Sequence, residues 1–576
     1  MLQIGWVDMG SGRNGFGIDH VVIAGFKRIG APLPVDMKRD LNILVGDNGA
    51  GKSTILEAIH LALTGLYRGE PIRRALSQAL FNNAEIGDFI DRAAAENVSE
   101  MPKISIEVFL TGEDLSDFNE LSGGVNSTNK TACGFTFSVE FDEKFRDELE
   151  SLPRGCLQSL PIEYYDVRWM TFAGAFITPK SIPVRSVMIN PTGEWRGGWA
   201  DERAARTLLD GLDNEHLMAL AQSARAAFDT WNAAESLRAA SGSLPSSSFD
   251  GIGNIDLVAD FGTTESWKKN LVVRLDGVPY SHIGAGSQSM IQAGIALDKK
   301  RPEKTTLLLF EEPENHLSHT NLHQLIHLIS DGADGRKIMM ATHSSYVANV
   351  LGLENIQIVG SSKSGSNCAP ISALDDSTLN YFKRLPGYDT LRLVLAKAAI
   401  LVEGPSDELV VQLAYRKTHE GKLPIEDGTD VISVGSGFLR FLELASAIQK
   451  RVLILTDNDR KPKELRKKYR DYYERPNIMI SFVDEIHDPV DPNNVDPEKK
   501  LNWNTLEAEV LRANDLDAIN SILSKSFPDE ASLLKYMESN KTEVALALFE
   551  NYESVNVPEY ITRGLEWIGA EGTGLD

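Results

Sequence analysis

Cysteine is scarce: Cys133, Cys156 and Cys368 are the only three in 576 residues, and they stand far apart with no CxxC pair. That spacing argues against a structural zinc, a redox centre or a disulfide framework, and we expect reduced thiols without a catalytic role. Basic charge is short as well, because 58 Lys and Arg against 82 Asp and Glu leave a formal net charge of −24. A chain whose main task was to coat nucleic acid would carry the opposite sign, since phosphate contacts supply most non-specific affinity; any nucleic-acid contact here must be local. Long apolar runs are missing too. None approaches the roughly 18 residues of a spanning helix, and the opening MLQIGWVDMGSG lacks the basic segment and apolar stretch of a secretion signal. A soluble cytoplasmic protein without membrane contact is the expectation. Hydrophobic residues at 42% and charged residues at 24% are ordinary globular usage, which excludes extended disorder and fibrous folds. The length predicts about three or four structural units.

What is present begins with a strand, a glycine loop and a helix in that order. Leu41-Asn-Ile-Leu-Val45 is a short apolar run, Gly46-Asp-Asn-Gly-Ala-Gly51-Lys52-Ser53-Thr54 follows, and Ile55 to Leu63 has helical apolar spacing. Gly46-x4-Gly51-Lys52-Ser53 is the P-loop pattern: glycines let backbone N–H groups wrap phosphate, the lysine bridges terminal phosphates, and the serine can ligate Mg²⁺. Gly46, Asn48, Gly49, Gly51, Lys52, Ser53 and Thr54 are therefore the expected ATP-binding set. Leu307-Leu-Leu-Phe310-Glu311-Glu312 reads as a buried parallel strand ending in two carboxylates, one for the metal's water shell and one to polarise the attacking water. The first acid of this Walker B pattern is usually Asp, and here it is Glu311. Met339-Met-Ala-Thr-His343 ends another apolar strand and places His343 as a γ-phosphate sensor.

Between these motifs, 104–110 (ISIEVFL) and 135–141 (FTFSVEF) alternate as half-buried strands, residues 201–238 turn helical and Ala/Leu-rich, and Ser241–Ser248 breaks them as a flexible loop. Strand signals resume at 252–260 and 271–275, so the core sheet is split in sequence. These pieces resemble an ABC-type ATPase of the chromosome-maintenance and repair branch, whose signature segment contacts ATP on a partner subunit. Ile283-Gly-Ala-Gly-Ser-Gln288 occupies the signature's place but departs from Leu-Ser-Gly-Gly-Gln, so Gly286 and Gln288 are the trans-acting choices; Gln78 is the glutamine available for a Q-loop. His316, His319, His323 and His327 have the spacing to present two imidazoles to zinc on one helix face. They also fall where the dimer-contacting D-loop belongs, without the acid of an HExxH motif.

A second α/β unit begins near Ala399. Ile400-Leu-Val-Glu403-Gly404-Pro-Ser-Asp407 puts one carboxylate at a strand end and another on the first turn of the next helix, and Leu455-Thr-Asp457-Asn-Asp459 ends the next apolar strand with a DxD. Strand-end acids of a parallel sheet stand where such folds bind ligands. Each acid alone reads equally well as a solvated strand end or a cap; the ordered pair resembles the TOPRIM domain of topoisomerases, primases and certain nucleases. No motif places a topoisomerase's tyrosine.

An ABC ATPase interrupted by a helical insert and followed by TOPRIM is similar to the OLD (overcoming lysogenization defect) family nucleases, including those of phage-defence systems such as Gabija. The resemblance implies an α/β chain with an ABC-type P-loop ATPase domain at 1–195 and 251–390, split by a helical dimerisation insert at 196–250, and a TOPRIM domain with helical C-terminal elements at 391–576. Asn504-Thr-Leu-Glu507-Ala-Glu509 matches the family's Thr-Leu-Glu-x-Glu segment and Lys541 its late lysine. It then implies that Glu403, Asp407, Asp457, Asp459 and one or both of Glu507 and Glu509 bind Mg²⁺ or Mn²⁺ while Lys541 stabilises phosphate charge, that double-stranded DNA and further copies of the chain are what it meets, and that a defence-system protein or nucleic acid is a candidate further partner. The basic stretch Arg460–Arg470, beside the DxD, is either a phosphate-holding surface or a solvated helix face. A non-cleaving ATP-driven DNA clamp is the competing reading.

Overall fold

The computed structural model describes residues 17–570 apart from 38, 95–99, 112–118, 152–156, 190–204, 206–208, 210–211, 213, 244–256, 261, 263–265, 298–305, 333–335, 363–364, 372–373 and 488–500. Cys156 and most of the 252–260 strand signal lie outside the described residues. Two compact units form, one from Met1–Asn42 with Ser53–Thr342 and one from Ile43–Lys52 with His343–Asp576.

In the first unit, strand Gly17–Ala24 pairs antiparallel with Leu33–Asp36 and Ile104–Thr111, and Ala132–Phe141 and Tyr165–Thr171 continue the sheet. The alternation read at 104–110 and 135–141 is a burial pattern here: Ile104, Ile106, Val108, Phe135, Phe137 and Val139 are fully buried. Strands Arg185–Ile189, Thr306–Glu311 and Lys337–Ala341 run parallel beside one another. Leu307 to Phe310 are at most 1% exposed, so both faces of the central strand are covered, as its unbroken apolar run requires.

The signal at 271–275 becomes a two-residue strand, Arg274–Leu275, paired with Val278–Pro279. Asp276 and Gly277 between them take φ of 50° and 83°, the left-handed pair of a tight hairpin turn, so the Asp-Gly turn and not the apolar run decides this segment. In the predicted helical insert, Asn214–Asn232 and Glu235–Gly242 are helices; the second runs through Ser241, where the sequence suggested a break. Met218 and Trp231 on the first are 67% and 58% exposed.

In the second unit, Ile43–Val45 pairs in parallel with Ile356–Ile358, and Ile356–Ser362 turns back on Gly365–Pro370. Four further strands make an all-parallel sheet in the order Thr429–Ser433, Ala398–Val402, Arg451–Leu455, Ile478–Ser481, the βαβ product anticipated from the sequence. Helices Pro405–Thr418, Phe438–Ala447 and Pro462–Lys468 lie between its strands in sequence. Helices from Leu506–Ala513 to Glu559–Gly569 then bury Leu511, Leu533, Leu548 and Ile561 in one core with Ile400 and Leu453 of the sheet. Because Ala398–Val402 and Arg451–Leu455 are parallel neighbours, with Leu401 opposite Ile454, the acids that follow them leave the sheet at one edge.

Candidate functional site

The nucleotide loop curls around its own lysine. Lys52 is 5% exposed at the start of helix Lys52–Thr64, and its Nζ donates to the carbonyls of Gly46 at 2.9 Å and Asp47 at 3.1 Å. Gly46 is required by space: a Cβ there would lie 2.3 Å from the Val359 carbonyl oxygen. Gly49 and Gly51 hold φ of 77° and 108°, which turn the chain back on itself; Asn48 between the loop's glycines is exposed, and Thr54 is buried on the helix.

Ser53 opens the first unit's share of this region, and its hydroxyl hydrogen-bonds Glu311. Burial raises the Glu311 carboxyl above its ordinary value, and Glu57 and Glu312 add to the rise while Ser53 and Lys27 oppose it. Lys27 was not legible as a site residue; it pairs with Glu57 and lies 5.0 Å from the Tyr67 ring centroid. Glu312 takes the left-handed φ of 44°, its N–H donates to Ala341 O at 2.8 Å, and its Oε2 accepts from Asn315 Nδ2 at 2.6 Å. His343 belongs to the second unit, one residue before the Ser344 cap of helix Ser345–Leu351.

The signature candidates lead helix Ala285–Ala296. Gly286 packs so closely on the His316 carbonyl that a Cβ would approach it to 2.4 Å. Gln288 turns inward, its Nε2 donating to Tyr280 O at 2.8 Å and Ile283 O at 3.2 Å. Gln78 is also engaged, accepting from Leu160 N at 2.8 Å. His319, His323 and His327 line an exposed face of helix His319–Gly332, the first two with ring centroids 4.8 Å apart. Among the described residues no three His, Cys, Asp or Glu side chains already stand arranged as a metal-ligand set.

The acidic cluster lies wholly in the second unit. A cleft is lined by Glu403, Asp407, Thr456, Asp457, Leu506 and Tyr560. Asp407 folds back over the helix start, its Oδ2 accepting from Gly404 N at 2.7 Å. Its carboxyl is pushed up to about 6, first by burial and then by Glu507 and Glu403, against the Gly404 N–H and Lys541. Asp457 is raised well above the ordinary range by burial and by the neighbouring charges of Asp407, Glu507 and Asp459, while the Leu506 N–H opposes the rise. Glu507 is 6% exposed; its Oε1 pairs with Lys541 Nζ at 3.0 Å, and its Oε2 is buried without a hydrogen bond. Burial works against the charge on Lys541, yet Glu507, Asp457 and Asp407 outweigh it and hold the amine above the ordinary lysine value. Glu509 faces Arg512 at 2.6 Å. Asp459 is at the exposed rim, where its Oδ1 accepts from Asn502 Nδ2 at 2.9 Å.

Four segments distant in sequence thus converge: 403–407, 457–459, 507 and 541. Tyr560 and the asparagines around the DxD were missed, because a lone Tyr or Asn carries no motif. Along Arg460–Arg470, Arg466 is spent on Asp484 at 2.6 Å and Tyr469 is buried, while Lys461, Lys463, Lys467 and Arg470 face solvent.

Comparison with known proteins bears on both regions. A family model described as an AAA domain matches residues 20–149, and a second AAA domain model, whose description names the AbiEii toxin of a Type IV TA system, matches 239–349. The Overcoming lysogenization defect protein-like TOPRIM domain model matches 394–459. No curated protein matches the chain. Among solved structures, the SMC head domain from Thermotoga maritima is similar at 13% identity, over 62% of this chain and 99% of that one, with a TM-score of 0.30. The C-terminal region of the Xanthomonas campestris pv. campestris OLD protein is similar at 21% identity over 31% of this chain and 94% of that one, TM-score 0.22. That of the Burkholderia pseudomallei OLD protein is similar at 18% identity over 30% and 97%, TM-score 0.23. No helix among the described residues is long and apolar enough to cross a membrane. With its two AAA-type segments ahead of the acid-bearing parallel sheet, this is an α/β chain that joins P-loop ATPase modules to an OLD-like TOPRIM domain.

Proposed function

We propose that this chain is an ATP-binding and ATP-hydrolysing, metal-dependent DNA endonuclease of the OLD kind, in which the ATPase regulates phosphodiester cleavage by the TOPRIM domain, and that it serves anti-phage defence as a homo-oligomer. The domain extents are those the resemblance implies: 1–195 and 251–390 for the ATPase, 196–250 for the dimerising insert and 391–576 for TOPRIM. One observation carries the reading: Asp407, Asp457 and Glu507 crowd together, and among the described residues Lys541 is the lysine that answers them.

The residues fit a hard divalent cation. The donors are carboxylate oxygens alone, without His or Cys, and Glu507 Oε2 is a buried acceptor with nothing bound to it. Glu403, Asp407, Asp457, Asp459 and Glu507 would hold Mg²⁺ or Mn²⁺, with Glu509 joining only after leaving Arg512. Bound there, the cation supplies an activated water and neutralises the leaving 3′ oxygen. The chain's own contribution follows from its charges. Lys541 keeps its proton beside Glu507 and offers positive charge to the phosphorane-like transition state. Leu506 and Tyr560 line the cleft beside the acids. Lys461, Lys463, Lys467 and Arg470 present local positive charge to a DNA backbone although the whole chain is acidic.

In the ATPase, Lys52 and the 46–54 loop hold the phosphates, Ser53 and Glu311 the nucleotide's Mg²⁺, Glu312 polarises water and His343 senses the γ-phosphate; Gly286 and Gln288 act on a partner copy's nucleotide. For Gln288 that requires release from Tyr280 and Ile283. Nicking of supercoiled plasmid by the full chain with Mn²⁺, lost in Glu403→Ala and Asp457→Ala, is the expected result. ATP-dependent DNA binding without cleavage in any metal would replace the nuclease with a clamp. Plaque counts on cells carrying wild type or Asp457→Ala test the defence role.

A further inference from the structure

The middle residue of Asp457-Asn458-Asp459 is 2% exposed and bonded on both ends of its amide. Asn458 Nδ2 donates to Val483 O at 2.6 Å and to Glu485 O at 2.8 Å, and its Oδ1 accepts from Arg460 N at 2.9 Å. Both of its donors are therefore used, on the segment that leaves the neighbouring strand Ile478–Ser481. Asp459 and Arg460 hold consecutive left-handed φ of 45° and 63°, a strained conformation for residues other than glycine that persists only where surroundings impose it. Asn458 imposes it by taking the Arg460 N–H.

The bracing continues on the other side. Asn502 donates to Asp459 and accepts from Asn504 N at 3.1 Å. Asn504, itself 2% exposed, exchanges two bonds with the backbone of His487, each 2.9 Å. Two residues on, the Leu506 N–H donates to Asp457, and Glu507 follows. One amide lattice thus fixes the strand-end turn, the 483–487 segment and the start of the helix that carries Glu507.

We propose that Asn458 is a positioning residue for divalent metal: its three hydrogen bonds hold the turn so that Asp457 faces the buried cleft while Asp459 stays on the rim under Asn502. The proposal rests on the reading of the acids as metal ligands. Groups that orient ligands typically set metal affinity by 10- to 100-fold.

The test is direct Mn²⁺ binding to the full chain without nucleotide, by calorimetry, with ATP binding and thermal melting as checks on the fold. Asn458→Asp keeps the shape and the acceptor for Arg460 but turns an oxygen toward two carbonyls, and Asn458→Leu keeps the bulk alone. Both are expected to weaken Mn²⁺ binding about 10- to 100-fold, and the metal concentration needed for half-maximal nicking should rise in parallel. A residue that merely filled space would leave binding intact in both. Wild-type affinity in either folded variant overturns the proposal. Should both fail to fold, Asn502→Ala at the exposed rim decides: a several-fold loss supports the lattice and unchanged binding overturns it. Asp457→Ala separates the two levels, because wild-type Mn²⁺ binding in that variant removes the metal reading itself, whereas lost binding there with intact binding in Asn458→Asp removes only the role given to Asn458.

Discussion

Both chemical regions hang carboxylates on the ends of parallel strands, but they balance them differently. Glu311 ends a strand beside the Ser53 hydroxyl and the Lys27 amine, so its rise is checked by a neutral donor and a cation close in space. Asp407 and Asp457 face each other and Glu507 with two backbone N–H groups and Lys541 as their only moderators among the causes of their shifts. At Glu311 burial remains the leading cause of the rise. Burial first and mutual repulsion second hold the Asp407 and Asp457 carboxyls of the TOPRIM domain above their ordinary values, and on the proposed reading a divalent cation would relieve the repulsion.

The largest effects should separate the two regions completely. Asp457→Ala is expected to lower Mn²⁺-dependent plasmid nicking by about 10³-fold or more, since no neighbouring group replaces a buried carboxylate, while ATP turnover stays within about twofold. Nicking at the wild-type rate would move the cleavage centre elsewhere and end the nuclease reading of 399–541. Lys52→Ala and Glu312→Gln should do the reverse. Each blocks ATP hydrolysis, the first through lost phosphate binding and the second through lost water polarisation, and each leaves Mn²⁺ binding at the acidic cluster unchanged. Undiminished turnover in purified Lys52→Ala would sink the P-loop assignment.

The same contrast explains what the sequence disclosed. The P-loop and the Glu311–Glu312 strand end are each a contiguous run, so spacing alone is enough to propose their chemistry. Strand-end acids at 403–407 and 457–459 were legible as two motifs, and their convergence follows from the parallel order of Ala398–Val402 and Arg451–Leu455. Glu507 and Lys541 came only through resemblance to a family, because a glutamate and a lysine 34 positions apart in the numbering carry no pattern of their own. Lys27 and Asn458 were illegible for a deeper reason. Each acts through a fold-specific contact, Lys27 on Glu57 and Asn458 on the carbonyls of 483 and 485, and nothing local distinguishes them from surface polar residues. The 271–275 signal failed in the opposite sense: its apolar residues were real, but the Asp276-Gly277 turn overrode them.

A smaller effect sharpens the comparison through stability. Asp407 titrates near 6 in the folded chain against an ordinary 3.8, so folding takes up a proton between those values. Sign follows directly: the folded state pays for the buried charge above pH 6 and regains stability as pH falls toward 4. Two pK units correspond to about 3 kcal/mol as an upper bound. Asp407→Asn should therefore melt several degrees higher than wild type at pH 7.5 without metal, and the gap should shrink to roughly a third near pH 4.5 and close below the ordinary carboxylate value. Added Mg²⁺ should raise the wild-type melting temperature more than the variant's. A variant that melts lower at pH 7.5 would show that the carboxylate is stabilised and not strained.

A further effect lies in the first unit and has the opposite sign. His60, on helix Lys52–Thr64 behind the nucleotide loop, is lowered from 6.5 to about 4 by burial, and its Nδ1 is 2.9 Å from Ser186 Oγ. The neutral ring is what the folded unit accommodates. Its contribution is complete above pH 6.5 and declines as pH falls toward 4, because the unfolded chain takes the proton first. Acid thus relieves the TOPRIM cluster and loads the helix under the P-loop. Hydrogen exchange can read the two regions separately in one sample: between pH 7 and 5, after correction for intrinsic rates, amides of Lys52–Thr64 should lose protection while those of Pro405–Thr418 hold or gain it. His60→Gln, which keeps a donor for Ser186 but cannot titrate, should flatten the first response and leave the second alone. Equal pH sensitivity of the Lys52–Thr64 amides in His60→Gln and wild type would assign that response to some other group and leave only the Asp407 half of the contrast standing.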